Sequence, residues 1–358
     1  MFTYLKLNYT RRKLLKVLRS MRSDNGFYRA AMTEQYKFTW LRDNFYNSQP
    51  ELSRNPEFYK ETYQTWLDYL INIEIKYSKI SKLILNKEIK EEYCFIHPRI
   101  HLNLDEIRDG KGWSYVQIDT VGYLLYGIAK GQLNGIDIIR NQNDVLIINK
   151  MVEMLDAINY HAVEEAGAWE ECREASRFST LSAVVAGLKE LEKIGINVPG
   201  HLITNGLNKM NEVFPNETFS RPIDFAQLFA IFPFDIISTY KAKIIIKNVE
   251  ENLTRKFGTI RYKGDKYNAS EKLTPPEAEW VLGDLFLGCA YLTLKDRKKA
   301  KFYLDKVLKN TRNFQIPEAI SSDGKVHYNS PLAWSHAMAI TLIDRLISER
   351  KSIFDRRR

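Results

Sequence analysis

Cysteine is nearly missing from this 358-residue chain, and the three present, Cys94, Cys172 and Cys289, are odd in number, far apart and without a CxxC pair. That excludes a disulfide framework and a thiolate zinc site, and fits a reducing compartment, the cytoplasm. Glycine (17) and proline (11) are scarce as well, which disfavours an all-β protein with its frequent turns. The longest apolar run, around Phe225 to Ile237, is interrupted by Gln227, Pro233 and Asp235, and the opening MFTYLKLNYTRRKLLK carries charges where a leader needs its apolar centre. Neither a membrane span nor a secretory leader is expected. There is no GxGxxG or phosphate loop, no HExxH and no GxSxG. The six histidines (His97, His101, His161, His201, His327, His336) form no helical i,i+4 pair, since Pro98 breaks the one at His97 and His101. No metal, nucleotide or other cofactor is expected.

What remains is a chain that is 44% hydrophobic, 12% aromatic and 27% charged, enough apolar surface for a large core and too much for disorder. The formal charge of +9 is spread along the chain, densest at Arg11, Arg12, Lys13, Lys16, Arg19 and Arg22 and at Arg356 to Arg358. Such stretches read as solvated faces and ends, so no nucleic-acid partner is expected. With no linker and no internal repeat, residues 1–358 are expected to form one domain. Oligomeric state leaves no trace in the sequence.

Apolar residues recur at three- and four-residue steps, as in Val145, Ile148, Met151, Met154, Leu155 and Ile158, a spacing that lines one face of a helix. Similar windows at 8–22, 57–84, 114–130, 176–194, 199–213, 235–251, 277–294, 297–310 and 332–348 predict about ten to twelve helices. No sheet is predicted, because Lys243 to Lys247, the best β-like run, also reads as a buried piece of helix. Windows 177–191 and 280–292 are apolar over more than half their circumference, as the inner helices of a two-layer all-α toroid are.

Between the helices lie segments that mix large flat rings with planar polar groups: Tyr36 to Asp43 (YKFTWLRD), Trp113 to Asp119 (WSYVQID), Trp169-Glu170-Glu171, Arg261 to Asp265 and Trp334-Ser335-His336. A sugar needs an aromatic platform for its C–H face and forked donors or acceptors for vicinal hydroxyls. Cleaving a glycosidic bond needs one carboxylic acid to protonate the leaving oxygen and a carboxylate to activate water or attack. Glu170 follows Trp169, whose apolar ring can raise its pKa, and Glu318 sits in Pro317-Glu318-Ala319 before a turn marked by Ser321, Ser322, Asp323 and Gly324.

Taken in order, these segments resemble glycoside hydrolase family 15, the glucoamylases with their glucodextranase and trehalase relatives, and the related helical domain of phosphorylase kinase regulatory subunits. YKFTWLRD is similar to the family's Tyr-x-x-x-Trp-x-Arg-Asp signature, with Trp40, Arg42 and Asp43 as sugar contacts. WSYVQID, approached from His97-Pro98-Arg99, resembles the Gln-x-Asp stretch, and by that likeness Trp113, Gln117 and Asp119 bind substrate. Trp169-Glu170-Glu171 with Ser176 to Thr180 resembles the acid motif. Glu170 is then the general acid, with Trp169 and Glu171 as sugar contacts. Gly258 to Tyr262 with Asp265 and Tyr267 looks like the loop whose arginine, here Arg261, reaches the terminal sugar. Pro317-Glu318, ahead of Leu332-Ala333-Trp334-Ser335-His336, makes Glu318 the general base.

The resemblance implies an (α/α)6 toroid of six inner and six outer helices that removes glucose from α-glucans or malto-oligosaccharides with inversion. Other readings are a trehalase or glucodextranase of the same family, or a non-catalytic glucan-binding regulatory domain. Two departures stand out. Ala319 occupies the position after the base where the family commonly has Gln, and no room is left for the N-terminal β-sandwich domain of prokaryotic glucoamylases.

Overall fold

The computed structural model describes residues 4–87, 89, 99–104, 114, 116–327 and 329–355. Helical spacing becomes helix almost throughout. In the window around Met151 the residues Ile147, Ile148, Met151, Met154 and Leu155 are buried on one face, and the Asn141 side chain caps the first turn by accepting from the Asn143 and Asp144 amides.

The described residues form twelve α-helices: α1 (Tyr4–Ser20), α2 (Leu41–Ser48), α3 (Pro56–Tyr77), α4 (Lys79–Asn86), α5 (Asp119–Leu133), α6 (Gln142–Ala157), α7 (Phe178–Lys193), α8 (Gly200–Val213), α9 (Thr239–Leu253), α10 (Val281–Thr293), α11 (Arg297–Lys309) and α12 (Ala333–Asp355). Packing closes α2, α5, α7, the 3-10 helix Phe225–Ala230, α10 and α12 into a ring in that order, with α12 returning to α2. Outside the ring, α1 lies on α12, α3 on α2 and α5, α8 on α7, α9 on the 3-10 helix and α11 on α10, while α6 packs on α3 and α4. This is the (α/α)6 plan, with a 3-10 segment in one of the inner places.

The segments read as inner from their all-round apolar character, α7 and α10, are buried on nearly every side. The interrupted run at Phe225 supplies the 3-10 member, started by a reciprocal capping pair between Asp224 and Gln227. No described helix is long and apolar enough to cross a membrane.

The inner pair α5 and α7 packs backbone to backbone. A β-carbon at Gly122 would lie 2.4 Å from the Ala183 carbonyl carbon, and one at Gly187 would lie 2.7 Å from the Gly122 carbonyl oxygen. Because the obstacle is main chain, it cannot rotate away. Gly122→Ala should therefore destabilise the fold by about 1–3 kcal/mol or more. A urea midpoint equal to that of the unaltered protein would show that the two helices do not pack this closely in solution.

Three departures from the sequence expectations have local causes. α2 is too short for a periodic pattern, and all eight of its residues are buried, so no polar face marks it. The window 57–84 breaks at Ser78, which takes the left-handed conformation (φ 49) between α3 and α4. Two antiparallel ribbons exist where no sheet was predicted: β1 (Glu164–Glu165) with β2 (Glu174–Ala175), and β3 (Glu279–Trp280) with β4 (Ala319–Ile320). Two-residue strands leave no alternation to read. Lys243 to Lys247, the β-like run, is part of α9.

Candidate active site

The segments leading into the inner helices meet at one cavity of about 490 Å³. Tyr36 and Trp40 come from the approach to α2, Trp169, Glu170 and Glu171 from the approach to α7, and Arg261, Tyr267 and Trp280 from the chain between α9 and α10. Glu318 and Trp334 come from the approach to α12 and its first turn.

Glu170 is carried on the loop that β1 and β2 tie together at its base. It has φ 60, a left-handed conformation that costs a non-glycine residue of order 1–3 kcal/mol. Arg177 holds the loop in that shape. Its Nη2 donates to the Cys172 carbonyl at 2.7 Å, its Nε donates to the Glu165 carbonyl at 3.2 Å, and it pairs with the Glu165 carboxylate at 3.4 Å. The Glu165 carboxylate accepts from the Gly167 amide at 2.7 Å and from Thr180 at 2.8 Å. Gly167 itself is left-handed (φ +64), with Arg177 so near that a β-carbon there would meet its Cδ at 2.6 Å, so only glycine fits.

The Glu170 carboxyl accepts from Trp40 Nε1 at 3.3 Å and from Arg42 Nη1 at 3.4 Å. Burial raises its pKa above the ordinary glutamate value, and the Arg42 charge and the two donors pull the other way. Arg42 is buried: Nε donates to Asp119 at 2.7 Å, and Nη2 donates to Gln117 and to the Gly167 carbonyl. Gln117 and Asp119 thus stand behind Arg42 and do not line the cavity.

Glu318 starts a hairpin. Its amide donates to the Asn329 carbonyl, the His327 amide donates to the Ala319 carbonyl, and Ser321 to Lys325 make the turn. Residues two apart share a face of such a ribbon, so His327 and Asn329 both reach the base. Asn329 Nδ2 donates to Glu318 Oε2 at 2.9 Å, Asn268 Nδ2 donates to the same oxygen at 3.4 Å, and His327 Nδ1 lies 3.4 Å from it. The other oxygen, Oε1, accepts from the Tyr36 hydroxyl at 3.1 Å. The hairpin is anchored to α12 by the Ser335 hydroxyl on the Pro317 carbonyl (3.0 Å) and by His336. Burial lowers the His336 pKa against the pull of two carbonyls, Leu332 at 2.8 Å from Nδ1 and Phe314 at 3.0 Å from Nε2, and the Ile316 amide lies 3.3 Å from Nε2.

Tyr36 and Trp40, with ring centroids 5.1 Å apart, join the two carboxyls, each donating to one of them. Asp43, in the first turn of α2, also faces the cavity. Burial pushes its carboxyl up to about 8, against the pull of Arg42 and with the charges of Glu170 and Glu318 adding to the rise. At neutral pH it is a protonated acid, able both to give and to accept a hydrogen bond.

The rings of Trp169, Trp280, Trp334 and Tyr267 form an aromatic wall of the cavity. Arg261 sits among these rings, 5.1 Å from Trp169 and 5.0 Å from Trp280, and is held by Asp265 at 2.7 Å and by Glu171 at 2.8 Å. Glu171 also accepts from Arg221 (3.0 Å) and Tyr262 (2.9 Å). Among the described residues the indole nitrogens of Trp280 and Trp334 have no hydrogen-bonding partner, and both atoms are buried.

Of the residues singled out in the sequence, the cavity brings together Trp40, Arg42, Asp43, Trp169, Glu170, Glu171, Arg261 and Glu318. Trp113 lies outside the described residues. Sequence reasoning missed Trp280, Asn268, Asn329, His327 and Arg221 as members or supports of the site. Period-two spacing back from Asn329 in the hairpin was the one signal available for His327. No group of three acidic, histidine or cysteine side chains able to hold a metal occurs among the described residues.

Comparison with known proteins agrees with this geometry. The profile described as "Glycosyl hydrolases family 15" matches residues 11–272, a span that holds Glu170 and ends before Glu318. No curated protein matches the sequence. Among solved structures, a wild-type glycosidase is similar over 96% of this chain and 97% of its own, at 18% identity and a TM-score of 0.80. A glutamate-to-alanine variant titled as a glycosidase in complex with glucose is similar at 18% identity and 0.79, over 96% and 97% of the two chains. The glucoamylase of Saccharomycopsis fibuligera is similar at 12% identity and 0.72, over 97% and 96%. With the family profile matched over most of the chain, and with the (α/α)6 ring and a cavity holding two glutamates beside it, the chain belongs to family 15 of the glycosyl hydrolases and is a glycoside hydrolase.

Proposed function

We propose that the protein is an exo-acting, inverting α-glucosidase that releases glucose from the non-reducing ends of α-glucans or malto-oligosaccharides, acting as one cytoplasmic domain. The observation that carries this reading is the pairing of two differently placed glutamates on one cavity. Burial raises the Glu170 pKa, the direction that suits an acid. Glu318, between Tyr36 and two asparagine amides, is oriented to accept a proton from water.

On this reading the terminal sugar stacks on the indole wall, and Arg42, protonated Asp43 and Arg261 take its hydroxyls. Gln117 and Asp119 contribute by holding Arg42. A cavity of about 490 Å³ suits a short chain end. The glucose complex of the similar glycosidase supports a sugar occupant.

The purified protein should release glucose from maltose and maltoheptaose, and proton NMR of the first-formed product should show the β-anomer. First-formed α-glucose would mean retention and would reject the base assignment. Faster release from trehalose or isomaltose would move the substrate class within the family. Binding of maltose without any release would favour the regulatory reading.

A further inference from the structure

The three consecutive residues at the acid turn their side chains two ways. The Glu170 carboxyl meets Trp40 and Arg42, whereas its neighbours Trp169 and Glu171 reach the chain at 221–224 and 261–262. We propose that Asp224 is a positioning residue for the acid, gripping both of its neighbours, Trp169 directly and Glu171 through Arg221. This rests on Glu170 being the general acid.

Both oxygens of Asp224 accept from the Trp169 indole nitrogen, at 3.0 and 2.9 Å. Oδ2 also accepts from Arg221 Nη1 at 3.2 Å, and the other arm of that guanidinium, Nη2, donates to Glu171 Oε2 at 3.0 Å. Arg221 is set in this pose by Tyr262. Its guanidinium carbon lies 3.7 Å from the centre of the Tyr262 ring, whose hydroxyl donates to the same Glu171 oxygen at 2.9 Å. One carboxylate is thereby linked to the residue before the acid and to the residue after it.

Asp224 is itself fixed. It is fully buried at the start of the inner 3-10 helix, where Oδ1 accepts the Ala226 amide at 2.8 Å and its own amide donates to Gln227 Oε1 at 3.2 Å. The next residue, Phe225, meets the Trp169 ring edge-on at 4.8 Å, and its amide donates to the Arg261 carbonyl at 3.0 Å. The indole, the guanidinium and the Ala226 amide are all donors, a set that a carboxylate meets with both oxygens and a carboxamide with one. Glu170 needs such a hold, because its left-handed φ of 60 persists only where the surroundings over-determine it. Arg177 grips the loop by its main chain at Glu165 and Cys172, and Asp224 adds a grip on the side chains next to the acid. Relaxation of Glu170 would carry its carboxyl away from the glycosidic oxygen, and a displacement near 1 Å costs about a hundredfold in rate.

The test is Asp224→Asn, with Trp169→Phe, the double variant and Glu170→Gln alongside. Each is measured on maltose and on p-nitrophenyl α-glucoside, whose leaving group needs no proton. Asparagine must turn its amide nitrogen toward the indole or the guanidinium, so one arm opens. Asp224→Asn should lose about tenfold or more in kcat on maltose and less than about threefold on the aryl glucoside, with KM for maltose changed far less than kcat. Trp169→Phe keeps a ring and removes the indole donor. It should shift the ratio of the two rates in the same direction, and the double variant should lose less than the product of the single losses. Equal losses on both substrates would make Asp224 a support of the fold alone and overturn the proposal, as would an unchanged rate on maltose or losses that multiply. Should Asp224→Asn not fold, the ratio in Trp169→Phe decides by itself. Glu170→Gln separates the two readings: full activity there rejects the acid and the clamp with it, whereas its loss beside a fully active Asp224→Asn rejects the clamp alone.

Discussion

Glu170→Gln should lower kcat on maltose by about a thousandfold, with KM nearly unchanged. Glutamine matches the carboxyl in size and can still sit against Trp40 and Arg42, but it has no proton to give to the leaving oxygen. The sugar contacts assigned to Arg42, Asp43 and Arg261 stay in place, so binding should survive. A substrate with an activated aryl leaving group, which needs no protonation, should recover most of the rate. Loss of both kcat and binding would mean that the loop had collapsed and not that an acid had been removed.

The pH profile carries the same assignment, with a definite sign. Glu170 acts while protonated, so its pKa sets the basic limb, and burial has moved that pKa up. The Trp40 Nε1 donor favours the ionised form and opposes the rise. Trp40→Phe keeps a ring against Tyr36 and removes the donor, so the basic limb of kcat should move to higher pH. A shift to lower pH would contradict Glu170 as the acid.

How much of this site was readable depends on what each residue is asked to do. α7 and α10 are buried all round, which leaves an apolar signature, and Glu170 and Arg42 sit in short motifs where ring and charge adjoin in sequence. By contrast, α2 is eight residues long and buried even at its polar positions, so neither propensity nor periodicity marks it. The two-residue ribbons that frame both glutamates are products of tertiary packing.

The same contrast holds within the motifs. Gln117 and Asp119 look like sugar ligands because they are forked acceptors near a ring, yet Arg42, 75 and 77 residues away, claims them first. A spacing along the chain reports which side chains share a face. It does not report which distant cation will reach them. His327 was noticed only as a histidine without a helical partner, since its meaning depends on a hairpin whose two strands are joined by a turn.

Glu318 offers the complementary experiment. Glu318→Gln keeps an acceptor for Tyr36 but cannot take a proton from water, and kcat should fall by about a thousandfold or more. Glu318→Asp keeps the carboxylate and withdraws it by one methylene from the attacking water, while Asn329, Asn268 and Tyr36 remain where the ribbon and α2 approach hold them. Its loss should be smaller, about a hundredfold, because a displacement near 1 Å costs that much. The order Gln below Asp below Glu distinguishes a base from a binding group: a residue that only contacts a hydroxyl would be served better by the amide than by the shortened acid. Near-normal glucose release by Glu318→Gln would transfer the role of base elsewhere on the cavity, and Asp43, the other carboxyl facing both glutamates, would be the residue to substitute next.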